Sequence, residues 1–171
     1  MWKGRRNFEL NGATVLRDLY RLASMVLGDG ALMTTAKDTG DPLRALRNQF
    51  LEDGLAHLLV GTAVANRIQL EHMSGPRDDP QEHSFEPLQR SCGTLRPDTE
   101  EDSVVPLSLR DACDKVIHAL NIDAETLGVP EESPIPSDVT LRGTKRNKSW
   151  VARLDLNEYV RASVKNFDRS L

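Results

Sequence analysis

The hydrophobic period shifts to two in one stretch near the end of this chain, and that shift limits what it can fold into. Up to Leu120 the apolar residues recur at three and four; from Val139 to Leu156 they recur at two. The first spacing lines one face of a helix, the second one face of a strand. We therefore expect a mainly α protein, a helical bundle of about four helices with one C-terminal β-hairpin and a long polar loop.

Residues 11–27, NGATVLRDLYRLASMVL, place Val15, Leu16, Leu19, Leu22, Ala23 and Val26 on one stripe, and Gly28-Asp29-Gly30 reads as the helix end. Asp41-Pro42 has the form of a cap followed by a first-turn proline. The helix it opens runs to about Met73, with Leu43, Leu46, Phe50, Gly54, Leu58, Gly61, Ala65 and Ile68 as its stripe. The glycines point to a closely approaching helix, or to a bend near Gly54. His57 lies beside that stripe, where an imidazole is more often a hydrogen-bonded core group than a ligand.

Pro106–Leu120, PLSLRDACDKVIHAL, is the clearest short helix, with Pro106 suited to its start and Ser108 as its cap. Leu109, Ala112, Cys113, Val116 and Leu120 are expected to face the core, and Arg110, Asp111, Asp114 and His118 the solvent. The hairpin sets Val139 and Leu141 beside Trp150, Ala152, Leu154 and Leu156, across a GTKRNK turn. A last helix, about Asn157 to Phe167, has Asn157 as its cap and Val160, Val164 and Phe167 as its stripe.

The stretch 74–105 holds four prolines, many charges and no sustained period. It reads as a long polar loop or insertion within a single domain of residues 1–171, with Phe85, Leu88 and Leu95 as tethers. No apolar run approaches the roughly 18 residues that cross a bilayer. The N-terminal MWKGRRNFELNG has charge without an apolar segment behind it, so no secretory signal is expected. Two cysteines, Cys92 and Cys113, give no disulfide framework, and Cys113 suits a small core residue. A cytoplasmic protein that does not enter membranes is the expectation. The net charge of −4 is uneven: residues 139–171 carry eight basic and three acidic side chains, and residues 71–138 five and sixteen. A local positive patch is compatible with the acidic total.

The four histidines are scattered, no nucleophile elbow or glycine-rich phosphate loop is present, and neither a metal nor a cofactor is expected. What stands out is Asp114 four residues before His118 on one helix face. A carboxylate there favours the imidazolium, a useful state for acid–base chemistry and an ordinary one for a solvated face.

The segment C-D-K-V-I-H, residues 113–118, resembles the motif of the HEPN superfamily, an Arg followed by a polar residue and a His four to six residues beyond the Arg. Asp114 takes the polar position and His118 the His; Cys113 stands where the Arg would be. Arg110 is on the same helix, with seven residues between it and His118. The Arg-to-His spacing also occurs in RIQLEH, from Arg67 to His72, and in RDDPQEH, from Arg77 to His83. Active members of that superfamily are metal-independent ribonucleases, often dimeric, and often toxins or phage-defence effectors. The resemblance implies a helical bundle in which His118 is general acid or base and Arg110, or an Arg from a partner subunit, stabilises charge on phosphate. Lys145, Arg146 and Lys148 in the hairpin turn would hold the RNA backbone.

Two functional readings follow. One is a degenerate or non-catalytic partner-binding protein of bacterial defence or toxin type, which the missing Arg favours. The other is an endoribonuclease acting through His118, which the Asp114–His118 pair favours. Both admit RNA, a protein partner and a homodimer as partners.

Overall fold

A computed structural model describes residues 10–73, 91–98, 103–120, 122 and 134–168. Among them are four helices and a four-stranded antiparallel sheet, in the order α1 (Gly12–Thr35), α2 (Pro42–Met73), β1 (Gly93–Arg96), β2 (Val105–Pro106), α3 (Leu109–Ile117), β3 (Asp138–Lys145), β4 (Lys148–Asp155) and α4 (Leu156–Phe167). Helices dominate, as the period predicts, but the hairpin is not isolated.

The strand order is β2-β1-β4-β3. The expected hairpin is β3–β4, and its turn is shorter than GTKRNK. Arg146 and Asn147 alone form it, both at positive φ, a two-residue turn suited to strand twist. The third and fourth strands come from the stretch expected to be loop. Leu95 does tether that stretch to the core, but as part of β1, opposite Ala152. Gly93 makes the pairing feasible: its φ is +139°, and a Cβ there would collide with the carbonyl of Arg153. Phe85 and Leu88 lie outside the described residues.

One sheet face is buried, through Leu95, Val139, Leu141, Trp150, Ala152 and Leu154. They share a core with Leu19 and Leu22 of α1, Leu55 and Leu59 of α2, and Cys113 and Val116 of α3.

α1 does not end at Gly28-Asp29-Gly30 but runs through both glycines to Thr35. Asp29 is the reason. Its carboxylate is buried, receives Arg47 Nε at 2.7 Å and Nη2 at 2.9 Å, and accepts the amide of Ile135 at 2.8 Å. Those bonds exist only if this turn stays helical, so tertiary contacts override glycine's propensity.

α2 is continuous past Gly54, where a Cβ would meet Met25 of α1. Its inward face is not the expected one. Leu51, Leu55, Leu59, Ala63, Asn66 and Leu70 are buried, whereas Leu46 and Phe50 are exposed. His57 is exposed too, not a core histidine.

α3 is capped by Ser108, whose hydroxyl accepts the amide of Asp111 at 3.1 Å, and it buries Leu109, Ala112, Cys113 and Val116 as expected. Leu120 lies beyond the helix and is exposed, and Pro106 belongs to β2. α4 is capped by Asp155, not Asn157: its Oδ1 accepts the amides of Asn157 at 2.9 Å and Glu158 at 3.0 Å. Its buried residues are Leu156, Tyr159, Ala162, Ser163 and Asn166, leaving Val160, Val164 and Phe167 half-buried.

The polar members of that face explain the difference. Asn66 Nδ2 of α2 donates to the carbonyl of Thr62 at 2.9 Å and to Ser163 Oγ at 2.9 Å. Asn166 Nδ2 donates to Asn66 Oδ1 at 2.9 Å, and Thr62 Oγ1 and the Tyr159 hydroxyl share a bond of 3.1 Å. A buried amide and hydroxyls bonded to one another fix the α2–α4 register where apolar packing alone would not.

Candidate functional site

His118 is the C-cap of α3, and its amide donates to the carbonyl of Asp114 at 3.0 Å. Its side chain is exposed, outside the packed interior, as the spacing predicts. From there the chain turns toward the sheet, and the amide of Leu120 donates to the carbonyl of Arg142 on β3 at 3.0 Å. This link brings the end of α3 against the hairpin.

A pocket of about 300 Å³ lies between them, lined by Asp114, Lys115, His118, Thr144, Lys145 and Trp150. Thus Asp114, His118 and Lys145, assigned from sequence to one helix and to a distant turn, stand around one cavity. The other assigned residues do not. Arg110 is exposed on α3 and does not line the pocket. Arg146 is exposed in the turn, and Lys148 is paired with Asp98 at 2.8 Å.

Asp114 is not a lone carboxylate beside an imidazole. Its Oδ1 accepts a hydrogen bond from Arg67 Nη1 of α2, and Arg67 Nη2 also reaches Glu71 at 3.0 Å. The hydrogen bond to Glu71 raises the pKa of Arg67; burial opposes this, and the charge of Asp114 adds to it. Arg67, the Arg of RIQLEH, is therefore the guanidinium that meets this acid.

Besides Asp114, which Arg67 engages, the charged groups of the lining are the ammoniums of Lys115 and Lys145. Lys115 Nζ lies 4.4 Å from the centroid of the Trp150 ring, a cation–π contact. Burial lowers its pKa and the charge of Lys145 lowers it further, against the opposing pull of Asp114 and Asp111. Two ammonium groups that repel across a cavity form a site that an anion relieves, and His118 stands beside them as a donor or acceptor. Lys115, Thr144, Trp150 and Arg67 are absent from the sequence assignment. Lys115 carried a signal because it lies inside the C-D-K-V-I-H segment, and Arg67 because it is the Arg of RIQLEH.

Gly143 sets the shape of the pocket. A Cβ there would collide with the Trp150 ring and come within 3.0 Å of the His118 carbonyl. Gly143→Ala is therefore expected to cost about 1–3 kcal/mol in urea unfolding, because the Trp150 ring must shift from its packed position to admit the methyl group. A loss below about 0.5 kcal/mol would show that the ring moves freely.

Among the described residues, no three His, Cys, Asp or Glu side chains are placed to hold a metal ion, and no helix is long and apolar enough to cross a membrane. Neither protein-family comparison, nor the curated proteins, nor the solved structures give a match to this chain.

Proposed function

We propose that this domain is a non-catalytic binding module for RNA that seats one backbone phosphate in the pocket between α3 and the hairpin. The observation that carries the reading is the convergence of Lys115, Lys145 and His118 on one cavity. Two ammonium groups supply the charge that a phosphodiester needs, and the Thr144 hydroxyl adds a donor.

The adjoining sheet face supports a polymer over a small anion. Arg142 lies two residues before Thr144, and both are exposed. Arg142 and Arg96 flank Val151 in one cross-strand row, so their backbones are about 10 Å apart. A chain of phosphates can run from the pocket across this row. The defence or toxin setting rests on the HEPN resemblance alone, and the four-stranded sheet is additional to the bundle which that resemblance implies.

The test is fluorescence anisotropy with a labelled single-stranded RNA at several salt concentrations. Lys115→Ala/Lys145→Ala is expected to weaken binding at least about tenfold and to flatten the salt slope by about 0.7 for each phosphate no longer neutralised. Wild-type protein that does not bind, or a double variant that binds equally well, refutes the reading.

A second reading is favoured by the neighbours His118 and Lys115. An imidazole could take the 2′-hydroxyl proton as its oxygen attacks phosphorus, while the ammonium protonates the departing 5′-oxygen. The same RNA, incubated with chelator, decides between them. Products ending in 2′,3′-cyclic phosphate, formed by wild type and not by His118→Ala, would identify an endoribonuclease; intact RNA leaves a binding module.

A further inference from the structure

The pocket between α3 and the hairpin has a basic side and an acidic side among the described residues. On the sheet side, beyond Thr144, lie the exposed Arg142 and, across β4, the exposed Arg96. On the helix side Asp114 is in the lining, Asp111 acts on the charge of Lys115, and Glu71 joins Asp114 through Arg67. Those three carboxylates outnumber the guanidiniums of Arg67 and the exposed Arg110. A polyanion is drawn in along the sheet, and its continuation over α3 is repelled. A nucleic-acid chain that arrives past Arg142 therefore stops in the pocket rather than passing through it.

The cations of the lining agree with a chain end. Lys115 and Lys145 bring two positive charges, with Asp114 engaged by Arg67, and Lys115 is half-buried against the Trp150 ring. An internal phosphodiester has a single negative charge and leaves one of these ammoniums unmatched. A terminal phosphate monoester carries about −1.5 to −2 at pH 7 and presents three acceptor oxygens. Lys115, Lys145, the Thr144 hydroxyl and the His118 imidazole can all donate to it. The cavity of about 300 Å³ equals the liquid volume of roughly ten waters, room for a phosphate and part of its ribose.

We propose that the phosphate this pocket takes is the terminal one of an RNA chain, a phosphate monoester, with the following phosphates running over Arg142 toward Arg96. The inference rests on the RNA reading above and narrows it, from any backbone phosphate to the one at a chain end. Lys115 and Lys145 supply the preference for the end, and the two arginines hold chain that is common to every RNA.

Fluorescence anisotropy of the full chain with single-stranded RNA of about eight nucleotides tests this. One sequence, labelled on an internal base, is made with a 5′-phosphate, with a 3′-phosphate, or with hydroxyls at both ends. At least one phosphorylated form should bind at least about tenfold more tightly than the hydroxyl form. The form that does so gives the direction of the chain. Lys115→Gln, which keeps a side chain against Trp150, should reduce that preference to less than about threefold. Arg142→Ala and Arg96→Ala should weaken all forms by a similar factor and leave the preference in place. Circular dichroism verifies that each variant is folded. A nucleoside 5′-monophosphate as competitor separates a chain end from a free nucleotide. Lacking the arginine contacts, it should bind at least about tenfold more weakly than the phosphorylated oligomer. Equal binding of all forms, or a preference untouched by Lys115→Gln, overturns the chain end and leaves the RNA reading standing. A nucleotide that binds as tightly as the oligomer overturns the chain end in favour of a free nucleotide. Absence of binding by every form removes the RNA reading and this inference with it.

Discussion

Arg47→Met will destabilise the fold by about 3–5 kcal/mol, more than any single change at the surface or in the pocket. Both side chains of the Arg47–Asp29 pair are only 2% exposed, and the guanidinium engages both carboxylate oxygens. Removing the cation leaves an ionised group in the interior, with the amide of Ile135 as a remaining donor. The penalty is the desolvation of that carboxylate, not the worth of the pair, and a second substitution separates the two. Asp29→Asn with Arg47→Met removes both charges and retains an oxygen for the Ile135 amide, so it should recover at least about 2 kcal/mol of the loss. Asp29→Leu with Arg47→Met should recover less, by about 1–3 kcal/mol, because that amide then lacks its acceptor. Urea denaturation of the three variants measures the series. A single Arg47→Met within about 1 kcal/mol of wild type would mean that water reaches the carboxylate.

Asp29 also shows why the end of α1 was not legible. Locally, Gly28-Asp29-Gly30 has every feature of a stop. Its helical state is imposed by a residue 18 positions ahead and an amide 106 positions ahead. β1 was hidden for a similar reason: it offers one buried apolar residue, Leu95, and is specified by the edge of β4 that accepts it. On α2 the difficulty was different. Apolar residues occupy both sides of the helix, so periodicity supplies two stripes and cannot say which one the other helices cover. Where a single period and a local cap agree, as in α3 with Ser108, both the faces and the start of the helix were readable.

The pocket divides along the same line. Asp114 and His118 are helical neighbours, and that relation is written in their spacing. That Lys145 approaches them, that Trp150 forms the wall and that Arg67 rather than Arg110 meets the acid all depend on docking α3 against the hairpin and α2. A run of basic residues in a turn does not disclose which member lines the cavity; the docking of α3 does, with Lys145 in the lining and Lys148 paired with Asp98.

Above pH 9 the folded chain should lose stability steeply. Burial is the main reason that the thiols of Cys92 and Cys113 have pKa values pushed up from 9.0 to about 12; acidic neighbours add to it at Cys92, and Cys92 itself adds to it at Cys113. The Tyr159 phenol is raised well above 10.0, again chiefly by burial. In each case the folded state holds its proton more tightly than the unfolded chain does. That contribution is complete below pH 9 and is lost as pH rises through the unfolded values toward the folded ones. At about 1.36 kcal/mol per pH unit, each thiol accounts for a loss of about 3 kcal/mol by pH 11, a large part of the stability of a domain of this size. Cys92→Ala/Cys113→Ala isolates the effect from lysine titration. It should start about 2 kcal/mol less stable than wild type at pH 7, from the small cavities it creates, and surpass wild type between about pH 9.5 and 10. A thiol-reactive disulfide reagent supplies a second readout, since buried thiols should react only as fast as the chain opens. Rapid modification of both cysteines in folded protein at pH 8, or parallel stability curves for the two proteins up to pH 11, would show that water already reaches the sulfurs and that their protons do not hold the core shut.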